Sequence, residues 1–440
     1  MFDTRYKDWL QKGYYDYRAY VPARLLYHAD YFRIRELLAV SADAIAAEAA
    51  RRLRHVLSVA VASVPFYKRT VKLSAGELAH ESPRQLLESF PFVEKAQVME
   101  CQRDFLDERL DPRKLNYATS EGSSGQGIGV WRTKRLGDIE KAFYTHEWGK
   151  LGFTFDKARY LRMGADARRL AHQPCASVNG NRLLVSPSHI LVRHKAAIVA
   201  AINEFRPQFV HAYPSAVAAL AELIGPDDLD CQVQAVLLAS EPATPQQLGL
   251  IERLFRCPIS ISYGLTERTN LAFATCRDGA CGPFRFEPLY GVSENRWHNG
   301  RAEIVGTSCW NDVMPLIRYR TDDFGAIDAA GSCRAIDGRA HEFLFDRAGN
   351  KIPGLMIIFD TGTWDFIRLF QIRQHKPGAI SIFVVAKHGS LNAAQKKLLL
   401  DYQLKRWGSH FDIALDEVAD IPLSASGKRQ LVINDLREVR

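Results

Sequence analysis

The chain has 440 residues, 47% hydrophobic and 25% charged, with 58 Lys+Arg against 50 Asp+Glu for a net charge of +8. This is ordinary globular composition, enough for two or three folding units, and with 29 Gly and 19 Pro it excludes disordered, collagen-like and low-complexity architectures. No apolar run reaches the ~18 residues of a bilayer span, no basic block carries the interleaved aromatics of a single-strand binder, and the first residues lack the basic-then-apolar order of a secretory signal.

The expectations are therefore no membrane, no nucleic acid and a cytoplasmic location. Eight cysteines are too sparse for a disulfide scaffold and read as thiols of a reducing compartment. A mildly basic surface suits anionic small molecules.

Ser41 is the predicted N-cap of a long amphipathic helix in which Ile45, Ala49, Leu53, Val56, Leu57 and Ala60 recur at helical spacing. Val64-Pro65 ends it, because proline disfavours helix in the preceding residue. A second helix is predicted over 137–151, where Gly152 breaks the pattern. Helical stretches at 196–205, 215–224 and Pro245–Phe255 then alternate with apolar runs at 209–213, 235–239 and 259–263, as in βαβ units with a parallel sheet. Beyond Arg301 come short strands with glycine turns, 302–306 and 316–319. A last block alternates strands (379–385) with a helix at 392–407. The predicted fold class is α/β: a large N-terminal domain, 1–338, with parallel-rich sheets and helices, and a small C-terminal α+β domain, 339–440.

Four stretches carry chemistry. Ser120, Glu121, Gly122, Ser123, Ser124, Gly125, Gln126 and Gly127 make a loop of small residues whose backbone N–H groups and hydroxyls can close on an anion, although alone it reads more readily as a linker. It is not a P-loop, since no Gly-Lys-Ser/Thr ends it. Tyr263-Gly264-Leu265-Thr266-Glu267 follows an apolar strand, placing an aromatic face, a hydroxyl and a hard oxygen ligand suited to Mg²⁺ where α/β sheets bind ligands. Tyr319-Arg320-Thr321-Asp322-Asp323 ends in carboxylates of the kind that accept from a ribose diol. Gly427-Lys428 puts a lysine on a glycine-bearing loop near the C-terminus.

In this order the four stretches resemble the adenylate-forming superfamily, which includes acyl-CoA synthetases, nonribosomal adenylation domains and luciferases, and within it the phenylacetate–CoA ligase branch. The loop 120–127 stands where the family has T-S-G-S-T-G-x-P, Tyr263 to Glu267 match Y-G-x-T-E, Tyr319 to Asp323 match Y-R-T-G-D in four of five positions, and Gly427-Lys428 match the C-terminal G-K. Val64-Pro65-Phe66-Tyr67, Ala212-Tyr213-Pro214-Ser215, Gly306-Thr307-Ser308 and Phe370-Gln371-Ile372-Arg373-Gln374 resemble that branch too. Glu121 and Asp322 are added acids, and the hinge reads Gly338-Arg339-Ala340-His341-Glu342.

The resemblance implies an enzyme that joins a carboxylic acid to ATP, releases pyrophosphate, and passes the acyl group to a thiol of CoA or of a carrier protein's phosphopantetheine arm. It implies ATP and Mg²⁺ as cofactors, with Glu267 on the metal, Thr266 on the α-phosphate, and Ser120, Gly122, Ser123, Ser124 and Gly125 around the phosphates. Ser240, Glu241 and Pro242 would line adenine, with Tyr263 and Gly264 beside it and Asp323 on the ribose. Lys428 would bridge acid and phosphate in the first step, on a lid turning about Arg339. Tyr144, Trp148, Tyr213 and Pro214 would wall an acyl pocket suited to an aromatic acid. An amide-forming synthetase and a nucleotide binder without turnover stay open as alternatives. The protein is expected as a monomer or homodimer. Cys276 and Cys281, with Cys333 downstream, are weighed as zinc ligands, though no second tight pair accompanies them.

Overall fold

The computed structural model describes residues 12–18, 20–119, 128–167, 169, 173–298, 300–336, 343–349, 351–353, 357, 366–422 and 430–436. The chain divides into two compact units, one formed by the described residues up to Thr321 with 326–335, the other by Asp322–Gly325 with those from Ile336 onward. The expected boundary falls within 337–342, outside the described residues.

In the first unit, β1 (Asn116–Thr119) and β2 (Gly129–Arg132) form an antiparallel pair. The main sheet takes β3 (Tyr160–Met163), β4 (Ala176–Asn179), β5 (Arg182–Val185), β6 (Phe209–Ala212), β7 (Ala235–Leu238), β8 (Ile259–Gly264), β9 (Leu271–Arg277), β10 (Ala280–Cys281) and β11 (Phe284–Phe286). Strands β5, β3, β6, β7 and β8 lie side by side and parallel. Antiparallel strands flank them, β4 on β5 and β9 on β8.

The parallel strands are apolar runs because helices cover both faces, leaving no solvent side for polar residues. All four residues of β7 are buried. The crossover helices Lys195–Phe205, Pro214–Leu223 and Pro245–Phe255 pack with Val210, Val236 and Ile261. Phe209 and Leu237, which alternate with Val210 and Val236 along their strands, and Phe273 of β9, opposite Ser262, join the core of the helices Ala42–Ser63 and Arg135–Gly149 on the opposite face. Ser41 caps its helix as expected, its hydroxyl accepting from Ala44 N at 3.4 Å. Pro65 ends that helix and seeds the next, Pro65–Thr70, at the first position, where its missing N–H costs nothing.

The expected strand at 316–319 is corrected. A three-stranded sheet joins β12 (Gly291–His298), β13 (Arg301–Ser308) and β14 (Tyr319–Phe324), and the last begins only at Tyr319. Arg318 holds φ at +49°, which a strand does not accept. The groups before it are occupied by one phenol: the fully buried Tyr67 hydroxyl accepts from Ile317 N at 3.0 Å and donates to Pro315 O at 3.2 Å. Arg318 is pinned in turn by Thr307 Oγ1, which accepts from its N–H at 2.9 Å, and by Phe92, whose ring lies 4.1 Å from its guanidinium carbon. β15 (Ser332–Cys333) closes the main sheet beside β11.

The zinc reading is also corrected. Cys276 and Cys281 face each other across the β9–β10 hairpin and form a disulfide, so neither thiolate is free to ligate, and the other six cysteines are free. Among the described residues no group of three metal-binding side chains converges. No described helix is long and apolar enough to cross a membrane.

The second unit pairs β16 (Phe343–Phe345) with β17 (Lys351–Pro353) and builds a four-stranded sheet from β18 (Ile367–Lys376), β19 (Ala379–Ala386), β20 (Asp412–Glu417) and β21 (Val432–Asn434) in the order β20-β19-β18-β21. Asn392 and Gln395 form a capping box that starts the helix Ala393–Trp407, and Leu399 packs with Ile372, Ile382 and Phe411. The buried Gln374 amide satisfies both ends on Phe345, donating to its carbonyl at 2.8 Å and accepting from its N–H at 2.7 Å.

Replacing Tyr67 by Phe leaves the Ile317 N–H and Pro315 carbonyl buried without that hydroxyl. The expected cost is about 1–3 kcal/mol in denaturant unfolding, with no change in the slope of the transition.

Candidate active site

The turn after β8 is where the sheet and the polar motif meet. Arg268 takes φ of +60° and its N–H donates to Leu265 O at 3.1 Å, closing the turn that carries Thr266 and Glu267. Glu267 is only 5% exposed. Its Oε1 accepts from the Tyr319 hydroxyl at 2.9 Å, while Oε2 is buried with no hydrogen-bond partner. A buried carboxylate oxygen without a donor is costly unless a cation meets it. A magnesium ion held by one carboxylate and completed by phosphates and water fits this donor set. Thr266 beside it is half-buried.

The chain after Glu267 is anchored tightly. Thr269 and Asn270 are buried, and Asn270 Nδ2 donates to Ser293 Oγ at 2.7 Å. A Cβ on Gly306 would lie 1.9 Å from Asn270 Oδ1, so the glycine of Gly306-Thr307-Ser308 is what lets β13 pass under this segment.

Along β8 the side chains alternate between faces. Ser262 receives a hydrogen bond from the Tyr144 hydroxyl at 3.3 Å, and its own hydroxyl donates to Leu238 O at 3.1 Å. Tyr144 stands edge-on to Trp148 and Phe273, at 4.6 and 5.1 Å between centroids. Tyr263 belongs to the other face, its ring 5.9 Å from Phe286. Gly264 lies at the exposed end of the strand, close to the Tyr144 hydroxyl.

Of the other expected wall residues, Trp148 is 1% exposed and packs edge-on against His211 and Phe153, a core position behind Tyr144. Tyr213 is buried, its hydroxyl accepting from Ala165 N at 3.1 Å, and Pro214 is buried as the first residue of its helix. His211 is held well below its usual pKa by burial, with Arg162 and Arg182 adding to the effect, so the imidazole is neutral.

After β7, Ser240 is exposed with φ of +72°. Glu241 Oε2 accepts from Ser215 N at 3.2 Å at the start of the helix Pro214–Leu223, where a carboxylate also suits the helix dipole. Pro242 is exposed. Asp323 is buried on β14, along which Tyr319, Thr321 and Asp323 alternate with less buried residues. Ser120, Gly122, Ser123, Ser124, Gly125, Arg339 and Lys428 lie outside the described residues.

Several contributors went unnoticed in the sequence. Arg268 forms an ion pair with Glu140, one helical turn before Tyr144, and the Tyr290 hydroxyl donates to Glu140 Oε1 at 3.4 Å. Burial pushes the Tyr290 phenol up to about 12, so it stays a donor at neutral pH. Only adjacency to the Thr266-Glu267 pair pointed to Arg268; nothing local pointed to Glu140 or Tyr290.

Glu287, in the turn after β11, is raised to about 8, first by burial and then by the neighbouring Glu147 charge. An unfolded glutamate ionises near its ordinary value, so between about pH 4.5 and 8 the folded state holds a proton that the unfolded state releases. Glu287→Gln is therefore expected to stabilise the protein by a margin that grows across that window and levels off above it, read by unfolding at pH 5, 6.5 and 8.5.

Residues 142–306 match the AMP-binding enzyme family and residues 344–435 the CapK C-terminal domain. Protein CapK of Staphylococcus aureus is 22% identical over 272 residues, 58% of this chain and 59% of that protein. Phenylacetate-coenzyme A ligase of Escherichia coli (strain K12) is 26% identical over 169 residues, 34% of this chain and 39% of the enzyme. The chain thus matches between about two fifths and three fifths of the length of these relatives. A crystal structure of 2-hydroxyisobutyryl-CoA ligase in the postadenylation state with 2-HIB-AMP shares the fold at a TM-score of 0.61 and 16% identity, covering 89% of each chain. With an AMP-binding segment at its centre, a CapK-type segment behind it and phenylacetate–CoA ligases among its relatives, the chain is similar to the adenylate-forming superfamily and, within it, to the phenylacetate–CoA ligase-like branch.

Proposed function

We propose that this protein activates a carboxylic acid with ATP and transfers the acyl group to a thiol, of CoA or of a carrier-bound phosphopantetheine. An acid oxygen attacks the α-phosphorus of ATP and pyrophosphate leaves. The thiol sulfur then attacks the acyl carbon and AMP leaves. The observation that carries this is Glu267, buried after a parallel strand with one oxygen fixed by Tyr319 and the other unsatisfied.

Bound there, Mg²⁺ would neutralise charge on the phosphate oxygens as the in-line displacement proceeds. Tyr319 keeps Oε1 engaged and so leaves Oε2 as the oxygen that would hold the ion, the usual contribution of an outer hydrogen bond to a metal ligand. Thr266 is assigned to the α-phosphate, the loop 120–127 to the phosphates, Ser240 to Pro242 with Tyr263 to adenine, and Asp323 to the ribose. Lys428 is assigned the charge that draws acid and α-phosphate together, a transient task suited to a point charge on a long stem. An aromatic acid is the preferred substrate class, because the half-buried Tyr144 offers a ring edge backed by Trp148 and Phe273.

The direct test is pyrophosphate release across aromatic, fatty and amino acids, followed by product mass with CoA, a carrier protein and free amines. Acid-dependent release with a thioester product is expected; release without an acid, or none with any, overturns the proposal. Glu267→Gln should lower release roughly 10²–10³-fold, and Tyr319→Phe should weaken the Mg²⁺ dependence about 10-fold, both read from magnesium titrations of the rate. Lys428→Ala should abolish acyl-adenylate formation while sparing transfer from a supplied acyl-adenylate; equal loss in both steps would remove its assigned role.

A further inference from the structure

The disulfide between Cys276 and Cys281 stands apart from the other six cysteines, which are free thiols. A single bond in such company is the pattern of a redox-responsive pair, not of a disulfide scaffold. Asp278 and Gly279 hold φ at +50° and +76°, so β9 and β10 are joined by a two-residue loop of the kind that Asp-Gly favours. The Gly282 N–H donates to Thr275 O at 3.0 Å, just outside the pair. The two cysteines therefore face each other between ladder bonds, where opposed side chains come closest. The hairpin presents the sulfurs to each other whether or not they are joined. Cys276 is buried, whereas Cys281 is exposed and open to a thiol from solvent.

The bond restrains a short edge. β10 has two residues, both exposed, and the Gly279 N–H at the hairpin tip donates to Glu252 Oε1 at 2.8 Å. Only Gly282 and Pro283 separate Cys281 from β11, so the closed hairpin sets where β11 meets β9. That register reaches the candidate site. Phe286 lies opposite Ala272 on β9, and Ala272 lies opposite Tyr263 on β8. The three residues make one row across three strands, and over the small alanine the Phe286 ring stands 5.9 Å from that of Tyr263. The pairing of β11 with β9 runs over two residues, Arg285 and Phe286. Pairing this short opens locally at low cost unless a covalent tie restrains the chain that enters it.

Resting on the reading that Tyr263 lies along adenine, we propose that Cys276 and Cys281 are a reversible thiol–disulfide site whose closed form holds Phe286 behind Tyr263 and raises the affinity for ATP. A thiolate of the glutathione class attacks Cys281 Sγ, the S–S bond breaks, and Cys276 leaves as a thiolate that takes up a proton. A second such thiol attacks the mixed disulfide, frees Cys281 as a thiol and ends in the oxidised dimer. Two external thiols are oxidised as one protein disulfide is reduced, and the oxidised dimer drives the reverse.

The test uses the full-length protein equilibrated with oxidised glutathione or with dithiothreitol. Peptide mapping after alkylation should find Cys276 and Cys281 joined to each other in the first state and both alkylated in the second. Hydrogen exchange follows the amides of Phe286 and Glu287, which donate to Gly331 O and Leu271 O. Calorimetry measures binding of α,β-methylene-ATP with Mg²⁺. Reduction is expected to speed exchange at both amides roughly tenfold and to weaken nucleotide binding about threefold. Cys281→Ser, a change at an exposed position, should match the reduced state under both conditions. Unjoined cysteines in oxidised glutathione, equal nucleotide affinity in the two states, or a redox response that survives Cys281→Ser overturns the proposal. Faster exchange on reduction in a protein that binds no nucleotide in either state keeps the switch at the Phe286–Tyr263 contact and removes the ligase reading. Acid-dependent pyrophosphate release that is the same in both states, with unchanged exchange, does the reverse.

Discussion

A single hydrogen bond, from the Tyr319 hydroxyl to Glu267 Oε1 at 2.9 Å, decides how the centre of this molecule is organised. It joins the turn at the carboxyl end of a parallel strand to a separate three-stranded sheet and fixes which carboxylate oxygen remains available. Without it, a buried carboxylate could rotate and satisfy itself on whatever donor lay nearest. With it, one oxygen is committed and the other stays poised.

Much of the surrounding sequence serves to hold Tyr319 where that bond requires it. Tyr67, reached through the proline that ends the long helix, engages the backbone of Pro315 and Ile317 just before β14 starts. Arg318 is held in a left-handed conformation between them by Thr307 and Phe92. Gly291 leaves room for the Thr269 backbone and Gly306 for the Asn270 and Thr269 side chains, in the segment that follows Glu267. Segments some 250 residues apart in sequence thus converge on one phenol, and the motif Val64-Pro65-Phe66-Tyr67 acquires a physical role in positioning.

The α/β layering was legible because five parallel strands covered on both faces must read as short apolar runs, and β7 does so without interruption. Helix ends were legible where a local signal sets them, as at Ser41, Pro65 and Asn392. The strand expected at 316–319 fails for a tertiary reason: its apolar residues do face the core, but the Ile317 N–H goes to the Tyr67 hydroxyl and Arg318 turns left-handed, so the ladder to β13 is kept only at the Leu316 carbonyl, which accepts from Ser308 N. Cys276 and Cys281 were read by spacing, whereas hairpin register decides their fate by placing them opposite each other. Within the site, the Thr266-Glu267 pair announced itself by following a strand. The Glu140–Arg268 pair did not, because residues 128 positions apart meet only when the helix and the turn are packed together.

The Glu241 carboxylate has a wider consequence. By accepting from Ser215 N it tethers the segment proposed along the base to the turn proposed along the acid. The two regions are therefore not independent modules. A change at 213–215 that reshapes acid choice also perturbs the backbone around Ser240, where a left-handed conformation already leaves little tolerance. Divergence of substrate preference in such a chain is channelled toward positions that do not pull on that tether.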